Sequence, residues 1–431
     1  MKAPHLAGCP EYLELSRRQF LGVTGGLTAL ATAAPAWLPR VAFARHDCTG
    51  RDTIVSIFLR GASDGLTVCV PHAEDAYYTA RPTLAIPRPD SGDPDQAIDL
   101  DGFFGLPPAM APLVEAYDAG HLAIVHACGS HHPTRSHFDA QRFMEVGIPG
   151  ELSTATGWLG RHLLTSAPTD PEALVRAIGI GYALARTLAG GPATLPVPDP
   201  TDFGLTGPAG TEADRLQALA DLYAQAQEPL KSAAGNTMST IALLEAIDFA
   251  GYQPAGGAVY PQSDLGRALR STAALIKAEV GVEAVAIDVG GWDTHDQQGP
   301  IDGTLAGLMA DLAAGLSAFH ADVFADTTNL TLVAMSEFGR RLGENGSLGT
   351  DHGHGNAMLV MGDSIQGGQV LADWPGLQAE ELFEERDLAV TIDYRDVLAE
   401  IVELRLMNPD LAGVFPGHTP IFHGITRPCP S

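Results

Sequence analysis

The stretch Thr53-Ile54-Val55-Ser56-Ile57-Phe58-Leu59, running into Arg60-Gly61-Ala62-Ser63-Asp64-Gly65, decides the fold class. A short apolar run that ends abruptly in glycine and a carboxylate suits a strand covered on both faces, as in a parallel sheet. Four further runs have this form: Leu122 to His126, Val282 to Val289, Leu330 to Met335 and Ala357 to Met361. Helical patterns separate them, at Ala109 to Ala119, Thr134 to Val146, Asp264 to Glu279, Gly303 to His320 and Tyr394 to Met407. The alternation predicts an α/β domain with a doubly wound, mostly parallel sheet and helices on both faces. The Ala-rich, acidic segment from about 201 to 250 reads as a helical insertion capping that sheet.

The start of the chain has a different character. Ser16-Arg17-Arg18-Gln19-Phe20-Leu21 is a twin-arginine export pattern, followed by a weakly apolar stretch from Leu21 to Trp37 and the small-x-small sequence Ala42-Phe43-Ala44. Residues 1–44 therefore read as a signal peptide and 45–431 as the mature domain, placed in the periplasm or secreted. Pro35 and the glycines argue against a membrane anchor, and no other segment reads as long and apolar enough to span. The leader holds four basic and two acidic residues, so the mature chain carries a formal charge of −29, against −27 for the whole. Such an acidic surface repels nucleic acid and anionic membranes, and an anionic substrate would need a cationic patch or a metal. Besides Cys9 in the leader there are Cys48, Cys69, Cys128 and Cys429. Their spacing matches no zinc motif, and export makes one or two disulfides an expectation.

Ligands bind at the carboxyl ends of strands in open α/β sheets, and the unusual polar residues fall there. Asp64 follows the first strand. His131, His132, Thr134, Ser136 and His137 follow the second, Asp293-Thr294-His295 the third, and Ser336-Glu337 with Arg340 the fourth. Thr350-Asp351-His352-Gly353-His354 precedes the fifth. Imidazoles and carboxylates suit a zinc-like ion, making Asp64, Asp293, His295, Glu337, Asp351, His352 and His354 candidate ligands. Each has a structural alternative: Asp293 as a helix cap beside a surface histidine, and Asp64 or Glu337 paired with Arg60 or Arg340. Pro133 suits a helix start, whose free N–H groups would favour an ionised hydroxyl at Thr134 or Ser136. Either hydroxyl could equally serve as a cap. Arg135 could bind an oxyanion or pair with a surface acid. No Gly-x-Ser-x-Gly elbow or dinucleotide-binding glycine pattern is present.

Taken together, Leu59-Arg60-Gly61-Ala62-Ser63-Asp64-Gly65-Leu66, Thr134-Arg135-Ser136-His137-Phe138-Asp139, Gly290-Gly291-Trp292-Asp293-Thr294-His295, Ser336-Glu337-Phe338-Gly339-Arg340 and Thr350-Asp351-His352-Gly353-His354-Gly355 resemble the twin-arginine-exported family called domain of unknown function 1501. That family resembles the alkaline phosphatase and sulfatase superfamily in fold. The resemblance implies a metal-binding Asp64, with Asp293, His295 and His352 or His354 as further ligands. Ser336-Glu337 stands where the superfamily has an Asp-His pair. The sulfatase pattern Cys/Ser-x-Pro-x-Arg is replaced by His131-His132-Pro133-Thr134-Arg135, so Thr134 or Ser136 would have to substitute for the nucleophile.

What the resemblance implies is an exported, metal-dependent hydrolase of phosphate or sulfate esters. It would use one or two divalent ions, Zn²⁺ first with Ca²⁺ or Mg²⁺ as alternatives, and act on a small anionic or sugar-linked ester. Arg135 or Arg340 would steady developing charge and His131 or His137 would move protons. The alternative is a non-catalytic or carbohydrate-binding member of the same fold that has lost its nucleophile. The partners are the substrate and the twin-arginine translocation machinery, with no nucleic acid and no stable membrane insertion.

Overall fold

The computed structural model describes residues 50–427, except 206, 209, 229 and 325–328. The twin-arginine leader, Cys48 and Cys429 lie outside the described residues. Strands β1 (Thr53–Leu59), β4 (Leu122–Gly129), β5 (Ala177–Ile180), β6 (Thr194–Val197), β7 (Ala284–Val289), β8 (Leu330–Met335), β11 (Asn356–Gly362), β12 (Gln369–Leu371) and β13 (Ile392–Asp393) form one sheet. The order is β12-β4-β11-β8-β1-β7-β5-β6, with β13 also pairing β4. Two small ladders lie outside it: β2 (Ile98–Asp99) with β3 (Gly105–Leu106), and β9 (Arg340–Glu344) with β10 (Thr350–His352).

The fold is α/β and the sheet mostly parallel. Within it β11 runs antiparallel to both neighbours, while β8, β1, β7, β5 and β6 are mutually parallel. Side chains alternate along a strand, so β1 feeds two cores. Val55, Ile57 and Leu59 face one core, with residues of helices α5 (Asp264–Lys277) and α6 (Thr304–Val323). Ile54 and Phe58 face the other, with residues of α2 (Trp158–Thr165) and α7 (Tyr394–Leu404). Helices α3 (Glu212–Ala224) and α4 (Leu230–Glu245) occupy the acidic middle segment, and α4 lends Leu243 and Leu244 to the first core.

Several expectations change. The helix expected from Thr134 is α1, His137–Val146, because Ser136 is extended and its hydroxyl accepts the Asp139 amide as the cap. The segment from Ala109 to Ala119 splits into a 3₁₀ turn, Pro108–Leu113, and a short helix, Val114–Asp118, since Pro112 cannot donate to an α-helical ladder. β5 and β6 escape a periodicity reading because Gly179 and Pro196 interrupt them; Pro196 is tolerated because β6 is an edge strand. α6 is long and apolar enough to cross a membrane, contrary to expectation, but Leu305, Met309, Leu312, Leu316 and Phe319 are buried in the core. Cys69 and Cys128 are buried free thiols rather than disulfide partners.

Candidate metal centre

The antiparallel β11 brings the rim together. Its amino-terminal end lies beside the carboxyl end of β4, with Asn356 opposite Cys128. The end of β10, which carries His352 and leads into β11, therefore reaches the rim where β1, β7 and β8 end. There the sequence-distant residues His137, Asp293 and His352 place their ligand atoms within 4.8 Å of one another. His352 Nε2 lies 2.9 Å from His137 Nε2 and 2.8 Å from His295 Nε2. Asp293 closes the group, with Oδ1 3.0 Å from His295 Nε2 and 3.3 Å from His352 Nε2, and Oδ2 3.4 Å from His137 Nε2.

The outward nitrogens determine what the inward ones can be. His352 Nδ1 donates to the Arg135 carbonyl at 2.9 Å, and His137 Nδ1 donates to Glu337 Oε1 at 2.7 Å. Asp351 Oδ1 lies 3.5 Å from His295 Nδ1 and is itself held by Asn345 Nδ2 at 3.1 Å. A neutral imidazole carries one N–H, so neutral His137 and His352 present Nε2 lone pairs to each other beside a carboxylate. A proton relieves one such contact, and the Glu337 bond holds the His137 pKa above its usual value in that direction. A single cation relieves them all. Imidazole nitrogens aimed inward and fixed from behind by oxygen acceptors suit a borderline divalent ion such as zinc, so the donor set fits one.

The surroundings keep these groups in place. Phe338 lies beneath two of the rings, 5.2 Å from His137 and 5.1 Å from His352, and joins Ala62 and Ala140 in an apolar floor. Arg340, 1% exposed, donates to the carbonyls of Gly61, Ala62, Trp292 and Thr350 and to Asp293 Oδ1 at 2.7 Å. Burial raises the Asp293 pKa, but the Arg340 hydrogen bond and charge outweigh it and hold the carboxyl below its usual range. Gly61 (φ 119°) passes so close that a Cβ there would meet the Asp293 amide at 2.5 Å.

Other candidates stand elsewhere or face other partners. Asp64 is fully buried, with Arg81 at 2.6 and 2.9 Å, Thr67 at 2.7 Å and Gln298 at 2.7 Å filling its carboxylate, so a guanidinium stands where a ligand role would put a metal. Glu337 is 1% exposed and one residue removed from the ion position: it accepts from Gly61 N, His137 and Gln141. Burial raises its pKa, but those bonds lower it more, so it stays ionised. Asp351 likewise backs His295 and lies 3.4 Å from Arg341. His354 is buried against Phe383, ring centroids 4.2 Å apart, and burial pushes its pKa down to about 4. His137, expected to move protons, sits inside the cluster.

Arg340 has its N–H groups committed to the rim, and Arg135 pairs with Asp387 and Glu384, its carbonyl rather than its guanidinium reaching the site. Ser136 caps α1, Thr134 Oγ1 accepts the Ser136 amide at 3.2 Å, and His131 is exposed. Arg81, Gln298 and Asn345 carried no sequence signal. Gln141 did, lying one helical turn after His137.

The family model described as "Protein of unknown function (DUF1501)" matches residues 208–405. The resemblance read from the motifs is thus found independently, over the segment that holds Asp293, His295, Glu337 and His352. No curated protein matches this chain in sequence. Similar solved structures include a protein in the alkaline phosphatase superfamily from Vibrio parahaemolyticus, 13% identical with a TM-score of 0.32, covering 78% of this chain and 67% of that one. Another is the C-terminal periplasmic domain of EcEptC from Escherichia coli in complex with Zn, 12% identical with a TM-score of 0.30, covering 75% and 77%. Both are similar to this chain in general architecture only.

The Asp64–Arg81 pair generates a stability prediction. Burial raises the Asp64 pKa, but the charge and hydrogen bonds of Arg81, with Thr67 and Gln298, bring it below the ordinary 3.8. A lowered carboxylate stabilises the fold above its unfolded pKa, and the stabilisation is lost as pH falls through the folded value. Asp64→Asn, which strands a buried guanidinium, should cost about 3–5 kcal/mol at pH 7 by urea unfolding. The deficit should shrink below about pH 4. An unchanged midpoint at pH 7 would show that the pair stabilises nothing.

Proposed function

We propose that this chain is an exported, single-metal hydrolase of phosphate or sulfate esters. The observation that supports it is the convergence of three imidazole Nε2 atoms and the Asp293 carboxylate on one point at the sheet's ligand-binding rim. His137, Asp293 and His352 would hold the ion, with His295 on its open side. A divalent ion bound there would polarise an ester oxygen and make a nearby hydroxyl easier to ionise. Glu337 and the Arg135 carbonyl hold the His137 and His352 rings in the tautomer that binds, and Arg340 keeps Asp293 ionised and oriented. Ser136, at the amino terminus of α1 and adjacent to His137, is the nucleophile best placed by the helix dipole, with Thr134 the second choice. His131, exposed beside them, is the group to carry protons to and from solvent.

One observation favours a second reading, a binding protein without turnover: both hydroxyls serve as backbone acceptors at the start of α1. The two separate on purified mature protein by metal analysis and a panel of aryl phosphates, phosphodiesters and sulfates. The hydrolase should carry one zinc-like ion and turn over at least one ester; His352→Ala and Asp293→Ala should lose both, and Glu337→Gln should weaken metal affinity about 10–100-fold. A metal-loaded protein that hydrolyses nothing on the panel supports the binding reading. Ser136→Ala should abolish turnover while keeping the metal; if it and Thr134→Ala both keep full activity, covalent attack by either hydroxyl is wrong. Replacing Arg17 and Arg18 with lysines should leave the precursor inside the cell in a fractionation assay, and undiminished export would refute the twin-arginine route.

A further inference from the structure

His352 and His137 are held from behind in different ways. His352 Nδ1 rests on a main-chain carbonyl, that of Arg135, whereas His137 Nδ1 rests on the Glu337 side chain. A side-chain carboxylate must itself be held still. Glu337 Oε1 takes the Gly61 amide at 2.9 Å and Gln141 Nε2 at 2.8 Å besides His137 Nδ1 at 2.7 Å. Gln141 follows His137 by four residues on α1, so the two side chains leave the same face of the helix. Its other amide atom, Oε1, accepts from Arg60 Nη1 at 3.1 Å. Arg60 directly follows β1, and its Nη2 is fixed by Glu145 of α1 at 2.8 Å and by Asp288 of β7 at 2.9 Å.

Resting on the metal-binding part of the hydrolase reading, we propose that Gln141 and Arg60 are positioning residues of the metal centre, acting in series on His137 through Glu337. The two ends of this brace fix its middle. A guanidinium has only donors and an ionised carboxylate only acceptors, so the Gln141 amide satisfies both in one orientation, oxygen to Arg60 and nitrogen to Glu337. The charge on Arg60 also polarises that amide and strengthens the N–H bond that Glu337 receives. Without Arg60 the amide is free to turn, and Glu337 loses a donor that steadies its hold on the His137 ring. A lysine at this position would supply charge for Glu145 and Asp288 but lacks the planar fork whose Nη1 arm reaches Gln141. The brace therefore links the end of β1, β7 and α1 to the aim of one imidazole nitrogen.

The test uses the full mature protein and measures zinc affinity by chelator competition, with the visible bands of the cobalt-loaded form as a second readout. Gln141→Met removes the amide at nearly constant size and should weaken zinc about tenfold; Arg60→Lys should do the same. Because the two act in series, the double variant should bind no more weakly than Gln141→Met alone. Gln141→Met should likewise add little once Glu337→Gln is present, and its cobalt bands should move toward those of Glu337→Gln. Gln141 is half-buried, and Gln141→Ala is read in the same way should the methionine variant not fold. Unchanged zinc affinity in the Gln141 variant, or losses that add in the double variant, would overturn the brace, since additive losses mark two independent supports of the fold. A wild type that binds no zinc sinks the metal centre and the brace together. A wild type that binds zinc, shows the serial losses and hydrolyses no ester sinks the hydrolase reading alone.

Discussion

Arg340 ties the functional rim together. Its planar guanidinium donates from all three nitrogens: Nε to the Ala62 carbonyl, Nη1 to the Thr350 carbonyl in β10, and Nη2, shared, to the Gly61 carbonyl after β1 and to the Trp292 carbonyl and Asp293 carboxylate after β7. The Trp292 carbonyl also takes the Thr294 amide at 3.0 Å, but a buried carbonyl such as that of Ala62 left without a donor would cost about 1–3 kcal/mol. The same guanidinium keeps Asp293 ionised among imidazoles. Ala62, whose carbonyl Arg340 holds, has φ 63°, a left-handed conformation that non-glycine residues rarely adopt, and Gly61 beside it has φ 119°, which glycine takes without penalty.

A second buried pair does different work. Asp64 and Arg81 neutralise each other inside the domain, and Gln298 links them to Thr350, whose carbonyl Arg340 binds. Two guanidiniums thus hold the rim through a hydrogen-bonded chain, and the carboxylate after the first strand is spent on structure. Among the described residues, one group of imidazoles with one carboxylate has the ligand atoms that could hold a cation.

Much of this was legible beforehand. β1 and β8 match their apolar runs residue for residue, because a strand covered on both faces must be apolar throughout. Asp293, His295 and His352 were visible because ligand-type residues beside glycines after strands are unusual. Parts of the site were not legible. Asp64 and Glu337 look like ligands in sequence, and only their partners, Arg81 for one and Gly61, His137 and Gln141 for the other, show them to be a structural ion pair and a support for an imidazole. His137 looked like a proton carrier because nothing local shows which way its ring nitrogens face.

By itself the amino-acid sequence determined the layers: alternating apolar runs and helical patterns, acidic charge, and polar residues gathered at strand ends. These follow from local periodicity and the cost of burying charge, which neighbouring residues encode. Tertiary structure alone decided the direction of β11, the partner of each carboxylate and the aim of each imidazole nitrogen. Those depend on atoms more than 200 residues apart meeting within hydrogen-bonding distance, as His137 and His352 do, and no local pattern carries that information.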